Sequence, residues 1–589
     1  MRYIWKKILK GILAVAAPAV MFYLFEWYTH DPFADIRWDI QLMNILFFEL
    51  VMVILYCLIG RLHVALALET GVFMLYGLVN YYVLSFRSQP IQPWDFFSIR
   101  TAASVAGNFH YGLDAHALTA LIGFGVLIVA ELLFCRNRLQ HSVRNWMLRI
   151  PAAGCAVAAL LAFVSLLHNE EFVQQEIRMY DKLFTPTVMS ERDGTAVAFL
   201  LELQYIDVDR PEEYSGERAE ELLAMQKEPQ TAEKRPNIIV IMDEAFSDLS
   251  VLGDFATNED YMPFLHKLQE GADNTVTGNL YVSVKGGNTA NTEFEFLTGN
   301  TMAFLPYGSI PYQQYVNGEL PSLASYLAEL GYATRAAHPY YASGWERETV
   351  YPLLGFEQAN FIDSFAYARK LRKYVSDESA FSYIIDSYEE KEEGTPLFFF
   401  EVTMQNHSGY SEDFDNFTPE ITATDCGSES LDRYLSLIRE TDRALEELIG
   451  YFSEQEEDTM IVFFGDHQPA DYVVEPLWNA LGKNGAELTE EEQAKRYEVP
   501  FLIWANFEIE EAQDVEISAN YLSGYALRAA GLPLSAYEQY LETLRKEVPV
   551  LSEKLLITRD GYAGQPDAYE GDLLKDYRIL QYYLMFDRE

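Results

Sequence analysis

Basic residues are scarce in this chain. It carries 43 Lys and Arg against 88 Asp and Glu, a formal net charge of −45. The deficit is lopsided: 12 of the basic and 9 of the acidic residues lie up to Leu167, which leaves 31 and 79 for the remainder and a balance of −48 there. So acidic a surface excludes nucleic-acid binding by the second part. It also gains nothing from anionic lipid, so lipid contact is expected only locally, at a site. Cysteine is nearly absent as well. Cys57, Cys135 and Cys155 fall in or beside apolar runs, and Cys426 stands alone in the second part, which therefore has no internal disulfide. A core large enough to hold itself must do that work. Cys426 sits in Asp425-Cys426-Gly427-Ser428 without a basic neighbour and reads as an inert thiol. Repeats and low-complexity sequence are also lacking from residues 168–235.

What the first part has in abundance is apolar length. Five runs, roughly residues 9–25, 41–60, 63–85, 115–135 and 150–167, each approach the ~20 residues a helix needs to cross a bilayer. Lys6, Lys7 and Lys10 before Ala14-Val15-Ala16 imitate a signal peptide, but four further runs favour an uncleaved first span. Orientation follows the basic residues. Arg2, Lys6, Lys7 and Lys10 lie at the N-terminus, Arg61 lies between the second and third runs, and Arg136, Arg138, Arg144 and Arg149 lie between the fourth and fifth. The opposite loops hold only Arg37, Arg87 and Arg100, with Asp31, Asp35 and Asp39 among them. The expectation is a cytoplasmic N-terminus and, after five spans, an extracellular remainder. A domain outside the cell cannot count on ATP, so group transfer there needs a donor already activated in the membrane. The loop over residues 88–97, with Pro90, Pro93, Trp94, Phe96 and Phe97, reads as an interfacial anchor in preference to a lipid-headgroup lip.

Residues 168–235 are charged and amphipathic, with helical spacing over 219–225 and a polar close over 227–235, and read as a juxtamembrane helical linker. From Pro236 onward short apolar runs alternate with helical ones. Strands are expected at 237–242, 332–337, 397–402, 460–464 and 501–504, and helices at 262–269, 320–330, 380–388 and 431–452. This is an α/β pattern with a largely parallel sheet, in which ligands gather beyond the carboxyl ends of the strands.

Those ends carry chemistry. Asp243-Glu244 follows the first strand, His338 the second with Gly344-Trp345-Glu346-Arg347 after it, Gln405-Asn406-His407 the third, and Gly465-Asp466-His467 the fourth. The chain has 10 histidines, and three of them occupy such ends. One such residue alone would most often be a cap or a satisfied core group; the coincidence of several favours a site. Glu244, Asp466 and His467 form a mixed oxygen and nitrogen set suited to a divalent metal such as Mn²⁺ or Zn²⁺. Between the strands lies Lys285-Gly286-Gly287-Asn288-Thr289-Ala290-Asn291-Thr292-Glu293-Phe294. By itself Thr289 there is best read as a helix cap, as is Asn291. Beside a metal set it becomes a candidate nucleophile and fourth ligand, since a threonine hydroxyl needs a base or metal to activate it. Arg347 can hold phosphate oxygens, and His338 or His407 can donate to the same oxyanion or move a proton. Trp345 is as readily a packed aromatic as an apolar wall of the site.

The ordered set resembles the lipoteichoic acid synthase family: five membrane helices followed by an extracellular sulfatase-like domain of the alkaline phosphatase superfamily. Glu244, Gly287-Asn288-Thr289 with Glu293-Phe294, Asp466-His467, His338 with Trp345-Glu346-Arg347, and His407 in Asn406-His407-Ser408 match that family's motifs. Ala245 and Ala290 stand where the family often has small polar residues. The Cys/Ser-x-Pro-x-Arg sequence that sulfatases convert to formylglycine is not found around Thr289, which argues against sulfate esters. The resemblance implies a transmembrane domain over 1–167, a linker over 168–235 and a catalytic domain over 236–589. It implies transfer of glycerol phosphate from phosphatidylglycerol, through a phospho-threonine at Thr289, to a lipoteichoic acid glycolipid or a cell-wall glycan. Glu244, Thr289, Asp466 and His467 would share one divalent ion, Mn²⁺ ahead of Mg²⁺ or Zn²⁺, while His338, Trp345, Arg347 and His407 would bind substrate. Two enzymatic alternatives are a phosphoethanolamine transferase and a phosphodiesterase. A membrane-tethered binding protein on a decayed hydrolase scaffold is the third, and the complete Glu, Thr, Asp and His set speaks against it.

Overall fold

The computed structural model describes residues 2–87, 90–96, 112–136, 143–169, 171–180, 186–206, 208–227, 234–306, 309–483, 488–561, 563–566, 569 and 571–587. Phe97, Arg100, Arg138, the 88–89 portion of the proline-rich loop and most of the polar stretch over 227–235 lie outside the described residues. The chain divides into two compact units, one built on residues up to Val208 and the other on residues from Asp209 onward.

The first unit is helical. Its apolar helices are α1 (Arg2–Glu26), α2 (Trp38–Ile59), α3 (Leu62–Arg87), α4 (Ala115–Phe134) and α5 (Val143–Leu167). Among the described residues four of these contain spans long and apolar enough to cross a membrane, and the apolar part of α1, Gly11–Glu26, is shorter. Leu42, Leu46, Leu75, Ile122, Val126 and Leu161 are exposed, so apolar faces point outward, as they do in a protein whose solvent is lipid. α2 ends where Gly60 takes a left-handed conformation (φ +72°). Its last carbonyls, those of Cys57 and Leu58, accept hydrogen bonds from the Arg149 guanidinium at 2.7 and 2.8 Å, a cation at the negative end of a helix dipole. Of the proline-rich loop, Trp94 is buried and Phe96 exposed.

The second unit is built on an eight-stranded sheet: β1 (Asn237–Asp243), β2 (Thr275–Tyr281), β3 (Ala333–Ala337), β4 (Gln358–Asn360), β5 (Leu397–Val402), β6 (Thr459–Gly465), β7 (Glu498–Ala505) and β8 (Ala512–Ser518). Their spatial order is β8-β2-β7-β6-β1-β5-β3-β4. All pairings are parallel except the two made by β7, which alone runs against its neighbours. The sheet is therefore largely parallel, as its apolar runs require: β1, β5 and β6 are buried at every position, and a strand covered on both faces has no room for polar alternation.

Helices cover both faces. Ile239, Ile241, Phe399, Ile461 and Phe463 share a core with Leu435, Ile438 and Leu445 of the long helix Glu429–Ser453. That helix is capped by the Ser428 side chain and has Glu429 and Asp432 in its first turn, both suited to a helix N-terminus. On the opposite face the helix Thr289–Thr298 lays Phe296 against Phe400 and Phe464, with ring centroids 6.0 and 5.0 Å apart. The five expected strands and four expected helices of this unit are present. β2, β4 and β8 were not anticipated. The central pair β1 and β6, in register from Asn237↔Thr459 to Asp243↔Gly465, brings two chemistry-bearing strand ends side by side.

Gly278 in β2 meets the irregular register of β8, where the pairing shifts between Ala512 and Val515. A Cβ there would lie 1.9 Å from the Val515 carbonyl oxygen, a backbone atom that no rotamer change can move. Gly278→Ala should cost about 2–3 kcal/mol and lower Tm by several degrees, measurable by thermal unfolding of the purified chain; an unchanged Tm would contradict the close approach.

Candidate active site

Asp243 closes β1, and the turn that follows carries Glu244 and then Ala245 at φ +51°, a left-handed conformation that costs a non-glycine residue energy. Three contacts hold it there. The Ala245 N–H donates to Asp466 Oδ1 at 2.7 Å, the Tyr434 hydroxyl donates to the Ala245 carbonyl at 2.8 Å, and the Glu244 N–H donates to Thr403 Oγ1 at 3.0 Å. The partner loop begins at Gly465, where a Cβ would sit 1.8 Å from the Phe246 carbonyl oxygen. Glycine in Gly465-Asp466-His467 is thus set by the distance between two strand ends.

His467 has its Nδ1 3.0 Å from the Gln468 carbonyl. An imidazole that donates from Nδ1 presents a lone pair at Nε2, the form that binds a cation. The same Gln468 carbonyl accepts the Gly286 N–H at 2.8 Å, which ties the glycine turn to the histidine. Asn288 then takes φ +64° as the residue before the helix Thr289–Thr298, with no side-chain cap. Thr289 is therefore the first helical residue and not its cap. Its Oγ1 lies 3.4 Å from Glu244 Oε2, while the Thr292 hydroxyl donates to the Asp466 carbonyl at 2.7 Å and fastens the helix to the loop.

The structure brings Glu244, Asp466 and His467 together. Among the described residues these three form a group of His, Cys, Asp and Glu side chains able to hold a metal ion, each offering an atom within 4.8 Å of the others. His467 Nε2 is 3.3 Å from Asp466 Oδ2 and 3.8 Å from Glu244 Oε1. All three are buried, yet Asp466 Oδ2 and His467 Nε2 have no hydrogen-bond partner. Burial, and then the neighbouring Asp466 carboxylate, push the Glu244 carboxyl up to about 8. Two carboxylates and an imidazole aimed at one buried point, two of their atoms unpartnered, fit a divalent cation.

The remaining candidates line the rim beyond β3 and β5. His338 is buried, with Nδ1 2.8 Å from the Val402 carbonyl; burial and then the Arg347 charge hold it neutral, well below the ordinary imidazole range. His407 has Nδ1 3.0 Å from the Tyr374 hydroxyl. Burial lowers its pKa first, Asp466 opposes, and Lys373 and Arg372 lower it further. Trp345 is half-buried and, with Glu346, adopts φ +56°, two consecutive left-handed residues before the helix Arg347–Leu353. Arg347 is 1% exposed and turns Nε and Nη2 onto Glu293, at 3.1 and 2.8 Å from Oε2. Two of its three nitrogens thus serve an internal ion pair.

Sequence reasoning passed over several groups. Glu293 was quoted only as part of a motif, and its burial opposite Arg347 is what gives it a role. Thr403 and Asn406 bracket Asp243, donating to Oδ2 at 3.1 Å and Oδ1 at 2.9 Å. Arg372, at φ +54°, donates from Nη2 to the Gln405 and His407 carbonyls at 2.7 Å each, so it shapes the loop that carries His407. The basic pair Arg372-Lys373 in so acidic a half was the one available signal.

The sulfatase family model matches residues 236–532, half of the chain and all of the strand ends just described. The chain belongs to the sulfatase family. Within the alkaline phosphatase superfamily it resembles the lipoteichoic acid synthases. A "putative cyclic beta-1,2-glucan modification protein" of Rhizobium meliloti (strain 1021) is 29% identical over 558 residues, covering 92% of this chain and 85% of that protein. Lipoteichoic acid synthase 1 of Bacillus subtilis (strain 168) is 27% identical over 284 residues, covering 46% of this chain but only 42% of that one. The solved Streptococcus pyogenes phosphoglycerol transferase GacH, in complex with sn-glycerol-1-phosphate, aligns with a TM-score of 0.49 at 22% identity over 64% of this chain and 95% of its own.

Two outcomes test this sulfatase-family site. Glu293→Gln leaves Arg347 buried without its counter-charge and should cost about 3–5 kcal/mol, read as a lowered unfolding midpoint in urea. Elemental analysis after manganese loading should find one ion per chain; Asp466→Asn should weaken that binding at least by the ~10–100-fold that loss of a mere supporting hydrogen bond costs.

Proposed function

We propose that this chain is a membrane-anchored transferase that moves glycerol phosphate from phosphatidylglycerol to a hydroxyl of a glycan outside the cell, through a phosphorylated Thr289. The observation that carries the proposal is the Thr289 hydroxyl facing Glu244 at 3.4 Å, next to the Asp466 and His467 pair, at the carboxyl ends of β1 and β6. Residues 1–167 would span the membrane, 168–235 would link, and the domain from 236 would work at the outer surface.

Glu244, Asp466 and His467 would hold one divalent cation, with Thr289 beside them; when bound, it would favour the ionised hydroxyl and draw charge from phosphoryl oxygens. The steps belong to the chain's own groups. Thr289 Oγ forms a bond to phosphorus as the bond from phosphorus to the diacylglycerol oxygen breaks, and the hydroxyl proton passes toward Glu244. The departing diacylglycerol alkoxide takes its proton from water, which His407, with Nδ1 beside the Tyr374 hydroxyl, can position through Nε2. In the second half the acceptor hydroxyl attacks phosphorus as the bond to Thr289 Oγ breaks; its proton goes to the neutral His407 imidazole and on to water, and Glu244 returns to Thr289 Oγ the proton it took. Arg347, fixed by Glu293, holds phosphate oxygens through its remaining nitrogen. His338, neutral and donating to Val402, offers an acceptor for a glycerol hydroxyl.

The acceptor admits two readings. A polyglycerol phosphate chain on a glycolipid follows the lipoteichoic acid synthases, which match less than half of this chain. A glucan follows the Rhizobium meliloti relative, whose similarity runs through 92% of the chain, helices included, and the comparison of coverage favours it. Manganese is the first expectation for the metal.

Thr289→Ala should reduce transfer by about 10³-fold or more with the unfolding midpoint unchanged, and intact-protein mass spectrometry with donor supplied should show a glycerol phosphate adduct on the native chain alone. Transfer by the alanine variant, or a native chain that never carries the adduct, would reject the intermediate.

A further inference from the structure

The strand end that delivers His338 continues into two tyrosines, and their placement is not explained by packing. Tyr341 is 61% exposed and Tyr340 36%. The rings form a continuous path out of the site: His338 to Tyr340 at 6.1 Å between centroids, Tyr340 to Tyr341 at 4.9 Å, Tyr340 to Tyr374 at 6.3 Å, and Tyr374 to His407 at 5.2 Å. Both candidate substrate histidines thus open onto one aromatic surface.

That surface is rigid. The Tyr340 N–H donates to the His338 carbonyl at 2.7 Å, and the Tyr340 carbonyl accepts the Ile362 N–H at 2.9 Å. Tyr374 is buried, with Arg372 and Lys373 lying 5.7 and 5.3 Å from its ring centre, so it forms a wall. Tyr340 and Tyr341 offer the outward faces. A Cβ built on Gly344 would lie at ordinary contact distance from both, 3.8 Å from Arg347 Nη1 and 3.9 Å from Tyr340 Cδ1, so the last nitrogen of Arg347 and the first ring of the path both lie beside Gly344.

We propose that Tyr340 and Tyr341 form the platform on which a neutral sugar ring of the acceptor stacks, with Tyr374 as its inner wall. This deepens the proposed transferase reading and rests on it. The chemistry selects the ligand. An aromatic face is electron-rich and meets the polarised C–H face of a pyranose, while the phenol hydroxyls meet the ring hydroxyls at its edge. The half of the chain at −48 offers a polyglycerol phosphate no long-range attraction and is indifferent to a neutral glucan. The platform adjoins Gly344, beside the nitrogen of Arg347 proposed to hold the phosphate, so an acceptor sugar stacked on it would lie next to the phosphoryl group.

The test uses the full chain in detergent micelles with a neutral β-glucan oligosaccharide as probe, followed by saturation-transfer NMR and titration calorimetry. Wild type should bind it with contacts on the sugar C–H protons, Tyr341→Ala and Tyr340→Ala should each weaken binding about tenfold, and Tyr341→Trp should restore it. With phosphatidylglycerol present, the ratio of glucan transfer to diacylglycerol release should fall in the alanine variants. Glucan binding unchanged by either alanine, tighter binding of polyglycerol phosphate than of glucan, or a raised KM for phosphatidylglycerol would overturn the platform, the last by assigning the rings to the lipid. A native chain that releases no diacylglycerol would defeat the transferase reading, while the binding arm would still judge the tyrosines.

Discussion

Electrostatic repulsion inside a closed site governs this molecule. Glu244 and Asp466 are buried carboxylates aimed at the point that His467 also faces, and nothing in the protein neutralises them there in full. Two such charges out of water are tolerated only if one is protonated or a cation sits between them. The fold keeps them together through adjacent strands β1 and β6, a glycine that lets the strand ends touch, and an alanine held in a strained turn by three hydrogen bonds. The geometry that makes the site costly is what fits it to a small divalent ion.

The Arg347 guanidinium follows a second economy of charge. A free buried guanidinium would bind phosphate strongly but destabilise the fold. Glu293 takes two of the Arg347 nitrogens and leaves one to face Gly344 and Tyr340. The left-handed pair Trp345 and Glu346 delivers the arginine to that position, a strain of order 1–3 kcal/mol per residue. Strain of this kind persists where the surroundings over-determine it, and here the buried ion pair is the over-determining contact.

Much of this was legible from residue order alone. The doubly buried strands announced themselves as runs such as Ile238-Ile239-Val240-Ile241-Met242, and the acidic, imidazole and hydroxyl groups could be placed because parallel sheets collect function at their carboxyl ends. β2 and β8 escaped notice because Thr275-Val276-Thr277-Gly278 and Asp514-Val515-Glu516 are too polar and too irregular to look like strands. The reversed direction of β7 leaves no mark in composition. Pairing between distant residues was equally hidden: Arg347 looked like a free anion binder until Glu293 appeared opposite it, and Arg372 has a purpose only once the loop carrying His407 folds around it.

The single carbonyl of Gln468 has a consequence for how members of this family can be recombined. It accepts both the Gly286 N–H and the His467 ring, so the turn before Thr289 and the imidazole take their positions from one atom. A chimera that imports residues 285–298 from a relative without the matching 465–469 would inherit two halves of a joint cut for different partners. The two motifs, remote along the chain, should be exchanged as one cassette.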